Sequence, residues 1–178
     1  RTLAREGLIR YPWQFLAVRV LRSRAKLQAG EYAFRQAASP WEIFDRLARG
    51  DVFYRQLTVP EGHTIFDIAE SLDRLGAIGG HELLEAARDV SLIRDLAPGA
   101  PTLEGFLFPD TYRITRNATA PELCARMTER FRKAWAEVGG PTPALAAVTL
   151  ASLIEKETAV AAERPLVASV FANRLRIG

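Results

Sequence analysis

Three helix starts are written into this chain, and they limit what it can fold into. At Ser39-Pro40-Trp41-Glu42 the serine stands as an N-cap and the proline takes the first helical position. The glutamate three residues after the serine completes a capping box. Ile43, Phe44 and Leu47 then form one apolar stripe, and Gly50 ends it. Thr64 with Asp67 repeats the device, with Ile65, Ile68 and Leu72 on one face and Gly76 as the stop. Thr119 with Glu122 opens a third helix, predicted from Pro121 to about Glu137. The first two copies share the pattern Ser/Thr-x-x-Asp/Glu-Ile-x-x-x-Leu, each beside a predicted strand. These strands are 27–34, with Gly30 as a bend, and 52–59, where side chains alternate. Two copies are too few for a solenoid. The pattern predicts an α+β fold of short strands covered by helices.

Further helices are predicted over 2–9, 12–25 and 81–89. Phe15, Val18 and Leu21 or Arg22 give the second an apolar side beside several exposed arginines. Such a stretch suits either a packed helix with a solvated face or contact with a membrane. The run Ala97-Pro98-Gly99-Ala100-Pro101 is the clearest break. It places a domain boundary between 1–97 and 98–178. Gly139-Gly140-Pro141 is a second break, between helices of one domain.

The net charge of +3 is too small to argue for nucleic acid. It suits an anionic polymer only weakly. Cys124 is the sole cysteine, so no internal disulfide forms. His63 and His81 lack metal-ligand spacing, and no metal is expected. No apolar run approaches the roughly 20 residues that span a bilayer.

Residues 143–158 read PALAAVTLASLIEKET, a helix with glycine and proline only at its edges. At about 100° per residue, Glu157 falls on the face of Ala146, Leu150, Leu153 and Ile154. Glu155 lies roughly 160° round, with Val148 and Ser152. If the apolar face is the buried one, Glu157 points into the body of the protein and Glu155 meets water. Desolvation would then favour its protonated form, which a general acid needs. Two other arrangements fit the same residues: a helix that ends near Glu155 and swings Glu157 outward, or a buried ion pair with an arginine.

The run ASLIEKET (151–158) followed by AERPLVASVFANRL (162–175) resembles the signature of the YceG-like family of endolytic murein transglycosylases. The resemblance extends to LQAGEYAF (27–34), TVPEGHTIFDIAESL (58–72) and LEGFLFPDTY (103–112). It implies a small LysM-like strand and helix region over 1–97, then a mainly helical catalytic region over 98–178 that continues past this chain. It identifies Glu157, the second glutamate of the EKET run, as the catalytic residue. Glu104, Tyr112, Thr158 and Asn173 are candidate substrate-binding residues: Glu104 and Tyr112 in the cleft, Thr158 holding the catalytic carboxylate or a substrate N-acetyl group, Asn173 facing the cleft. Phe106 and Phe108 are expected to pack beneath the helices. Leu166, Val167, Val170 and Phe171 are expected to be buried on a last helix starting at Pro165.

The implied reaction cuts peptidoglycan glycan strands and leaves a 1,6-anhydro end, with one glutamate as acid and then base and no cofactor. Alternatives are an ordinary two-carboxylate glycan hydrolase with Glu104 as the second group, or a scaffold of the cell-wall synthesis machinery. Membrane-bound glycan polymerases and penicillin-binding proteins are the implied partners. The resemblance also implies a periplasmic location, held at the inner membrane by an N-terminal helix that precedes this chain.

Overall fold

The structure, a computed structural model, describes residues 2–34, 38–158 and 160–177. The chain divides into two compact units, Arg1–Arg55 with Arg113–Asn117, and Gln56–Tyr112 with Ala118–Gly178.

The first unit holds α1 (Thr2–Arg5), α2 (Pro12–Leu21) and α3 (Pro40–Arg49). Helix α3 starts as its sequence dictates. The Glu42 N–H donates to Ser39 Oγ at 3.2 Å, and the Ser39 N–H donates to the Glu42 carboxylate at 2.8 Å. Two otherwise orphaned N–H groups are thereby satisfied. Ile43 and Phe44 of α3 are buried, and Phe15 of α2 meets Phe44 with ring centroids 6.0 Å apart. Val18 is buried on the same side of α2. The Arg22 guanidinium ties the helices at the surface by donating to Asp45 at 2.6 Å.

Residues 27–34 do not form the expected strand. Isolated bonds hold them: the Gln28 N–H donates to the Leu47 carbonyl at 2.9 Å, and the Phe53 N–H to the Glu31 carbonyl at 2.7 Å. A strand needs a continuous ladder. Here Gly30 bends against Val52, so closely that a Cβ would stand 2.7 Å from Val52 Cγ1. The expected helices over 2–9 and 12–25 are correspondingly shorter.

The division between units falls within both strands of a two-stranded sheet, β1 (Arg55–Thr58) and β2 (Thr111–Ile114). Thr58 faces Thr111, and the Val59 N–H donates to the Asp110 carbonyl, the register of an antiparallel pair. Strand β1 is shorter than the predicted 52–59. The second unit continues with α4 (Ile65–Leu75), α5 (Gly80–Ala86), α6 (Ala120–Glu137), α7 (Leu145–Glu157) and α8 (Arg164–Ile177). Both predicted capping boxes of this unit are present, Thr64 with Asp67 and Thr119 with Glu122. Helix α4 packs on α5, α5 on α6, and α7 on α8. Ile68, Leu72, Leu83, Leu103, Phe106 and Leu123 are almost wholly enclosed. Burial of such side chains stabilises the fold by about 1.5–3 kcal/mol each.

The boundary expected at 97–101 is not where the units separate. That segment lies inside the second unit, with Ala97, Ala100 and Leu103 buried. The Leu103 N–H donates to the Ala87 carbonyl at 2.8 Å, and the Ala144 N–H to the Leu96 carbonyl at 2.6 Å. Proline and glycine here turn the chain across the helices rather than linking domains. Among the described residues no helix is long and apolar enough to cross a membrane.

Candidate active site

A groove of about 640 Å³ lies in the second unit. Three chain segments build it: the turn 60–64 before α4, the loop 104–109 before β2, and the facing sides of α7 and α8. Leu103, Phe106 and Leu107 anchor the loop in the core, which leaves Glu104 and Gly105 outside. Phe106 packs edge-on against Phe131 at 5.1 Å. Phe108 is half-buried on the groove wall, with the Arg130 guanidinium 4.5 Å from its ring.

Helix α7 sits on this loop through Val148. Gly105 has φ +80, and a Cβ there would stand 2.7 Å from Val148 Cγ1. Only glycine combines that backbone conformation with that approach. Val148, Ser152 and Glu155, spaced four and three residues apart, therefore line the groove. Glu155 is half-buried there. Its Oε1 is 3.9 Å from Arg164 Nη2 at the start of α8. A Cβ on Gly62 would meet the same carboxylate at 3.4 Å, so carboxylate and turn lie in contact range.

Glu157 is the last residue of α7 and is exposed; it is not part of the groove wall. This reverses the expected placement of the two glutamates. The helical wheel itself holds, because Glu157 shares the side of Ala146, Leu150, Leu153 and Ile154. That side, however, is not the one laid on the body: Ala146 and Leu153 are exposed, Leu150 and Ile154 half-buried. Nearly every residue from Leu145 to Ile154 is small or apolar, so two faces were eligible for packing. Val148 against Gly105 selects the one carrying Glu155, and water reaches Glu157.

The other expected residues divide. Glu104 lines the groove, and its Oε2 accepts the Ile65 N–H at 3.0 Å, closing the first turn of α4. Tyr112 is buried instead of facing the cleft, because β2 turns it inward. Its hydroxyl donates to the Phe108 carbonyl at 2.6 Å, and burial pushes its pKa up to about 12. Thr158 is also buried. Its hydroxyl donates to Glu163 at 2.8 Å and accepts the Val160 N–H at 3.1 Å, so it fastens the turn between α7 and α8 rather than a catalytic carboxylate. Asn173 is exposed outside the groove and accepts from Arg176 at 3.1 Å, a local contact along one helix.

Leu166 and Val170 are exposed and Val167 and Phe171 only half-buried, since α8 packs on α7 and on the turn before it. Arg164 and Lys156 on the groove wall were not expected. No helical period relates Arg164 to Glu155; the turn after Thr158 brings them together.

Beside the groove lies an apolar pocket of about 310 Å³. It shares Gly105, Phe108 and Val148 with the groove and adds Phe131 and Trp135. Trp135 stacks on Phe131 at 5.4 Å, and its indole N–H donates to the Pro141 carbonyl at 3.2 Å.

The chain is 27% identical over 205 residues to an endolytic murein transglycosylase of Streptococcus pneumoniae, covering 98% of this chain and 37% of that protein. It is 27% identical over 170 residues to the Bacillus subtilis protein of that name, covering 84% and 47%. It thus spans less than half the length of these curated relatives. A crystal structure of a YceG-like protein of Listeria monocytogenes superposes with a TM-score of 0.57 at 23% identity, over 98% of this chain and 64% of that one. That likeness speaks to the fold. The family description for YceG-like proteins matches residues 1–178, so the chain belongs to the YceG-like family.

Proposed function

We propose that the protein acts as an endolytic lytic transglycosylase on peptidoglycan glycan strands, with Glu157 as its acid and base. The observation that carries the reading is family membership over residues 1–178, joined to relatives named endolytic murein transglycosylase. Glu157 first protonates the glycosidic oxygen leaving N-acetylmuramic acid. Its carboxylate then takes the proton of the C6 hydroxyl of the same sugar, which attacks C1 and closes the 1,6-anhydro ring. A nucleophile within the same sugar avoids the entropy cost of recruiting water. One carboxylate thus serves both steps, and the chemistry asks for no metal or organic cofactor. Glu157 stands at the exposed end of α7, where a polymer reaches it.

A second reading gives the acid and base role to Glu155, and its place in the groove beside Arg164 favours it. Glu61 and Glu104 line the groove as well, so a second carboxylate, which a hydrolase requires, is available there. Mass spectrometry of digested sacculi separates these chemistries: anhydro-muramic ends support the transglycosylase, whereas reducing ends alone overturn it. The Glu157→Gln and Glu155→Gln variants then assign the residue.

We place this activity on the extracytoplasmic face of the inner membrane, beside the polymerases and penicillin-binding proteins that make the strands. A LysM-like N-terminal region would orient the protein there. A Glu157→Gln protein that fully supports cell-wall growth would favour the scaffold reading instead.

A further inference from the structure

Helix α2 is apolar on two sides. Phe15 and Val18 face inward, and Phe15 meets Phe44. Trp13, Leu16, Ala17 and Val20 recur three, four and seven residues apart, so they make a second stripe on the opposite side. This stripe is open to solvent: Trp13 is 64% exposed, Leu16 59% and Val20 75%, with Leu21 beside it at 73%. Scattered apolar residues need no explanation, but a contiguous stripe around a tryptophan does.

The charge around it is one-sided. Residues 1–26 hold seven arginines and lysines against one glutamate, a net of +6. The other residues hold 17 against 20, a net of −3. Arg22 is engaged by Asp45, whereas Arg10, Arg19, Arg24 and Lys26 are exposed along and beyond the helix. At 10 residues α2 is about 15 Å long, too short for a hydrocarbon core of about 30 Å. It suits lying along a surface.

We propose that α2 docks on an anionic lipid bilayer, with Trp13, Leu16 and Val20 entering the interface and the flanking cations meeting the lipid phosphates. Apolar insertion and headgroup attraction act together in such helices, and the electrostatic part is screened by salt. The inference is independent of the activity proposed above, since it uses no residue of the groove.

Co-sedimentation of the 178-residue chain with vesicles tests it. Vesicles of phosphatidylglycerol and phosphatidylethanolamine should bind it at low salt at least about tenfold better than phosphatidylcholine vesicles. Salt at about 0.5 M should release most of it. The double variant Leu16→Ser, Val20→Ser should lose about tenfold in binding, and so should Arg19→Gln, Arg24→Gln. All four positions are exposed, so the circular dichroism of both variants should match the parent. Absence of binding, or equal binding to both vesicle types, overturns the proposal. So does a serine variant that binds as the parent does; heparin competing equally for both would then mark a patch for soluble polyanions.

Discussion

Arg164 Nη2 stands 3.9 Å from Glu155 Oε1, an ion pair in the lining of the groove that is too long for a hydrogen bond. The Nε of the same guanidinium is buried without an acceptor among the described residues. Its side chain and that of Glu155 are 41% and 37% exposed, so solvent screens the attraction. A pair of this kind contributes about 0–1 kcal/mol. Glu155→Gln should therefore shift the unfolding free energy by less than about 1 kcal/mol, measured by denaturant titration. A larger loss would mean that Glu155 holds α8 in place.

The proposed role of Glu157 predicts that the two glutamates of the EKET run separate in activity. Glu157→Gln is expected to lower release of anhydro-muropeptides by about 10²-fold or more, the scale of a lost acid and base, with an unchanged melting temperature. Glu155→Gln should retain most of the rate. Quantitative mass spectrometry of sacculi digests reads both. The opposite ranking would move the catalytic role to the groove.

Gly105→Ala tests the contact that seats α7. The backbone conformation at φ +80 and the approach to Val148 Cγ1 both oppose a methyl group. The variant should lose about 1–3 kcal/mol. Adding Val148→Ala should recover only part of that, since removing the clash leaves the backbone strain. Full recovery in the double variant, measured by thermal or denaturant unfolding, would show that the strain contributes nothing.

Acid should weaken the helix starts and the ion pair of Asp95 with Arg132. The backbone N–H and hydroxyl of Ser39 lower the Glu42 pKa, and the Thr64 hydroxyl and N–H lower that of Asp67. Hydrogen bonds from Arg132 hold Asp95 down to about 2. Each folded value lies below the unfolded one, so the contribution is complete above the ordinary carboxylate range and fades as pH falls through the folded value. For Asp95 the fading window runs from 3.8 down to about 2. The stability difference between the parent and Asp95→Asn should be constant near neutral pH and should vanish toward the bottom of that window. A difference that grows on acidification would contradict this sign. Thr64→Ala, which removes a cap, should cost about 1 kcal/mol near neutral pH.

The helix starts were legible because a capping box is complete within four residues. Ser39, Thr64 and Thr119 meet their partners as the sequence predicts because nothing distant is required. The opposite placement of Glu155 and Glu157 was legible too, since it follows from the helical period alone. Residues 27–34 look like a strand by composition, yet pairing depends on a partner backbone that Gly30 and Val52 bring up at only one point. Tyr112 appears polar and available in sequence, but the pleat of β2 turns it inward. Which glutamate enters the groove was decided only in three dimensions. Helix α7 is apolar almost all round, so periodicity offers two faces of similar merit. A close approach between Val148 and a glycine 43 positions earlier settles the choice, because at φ +80 Gly105 leaves room for that one side chain.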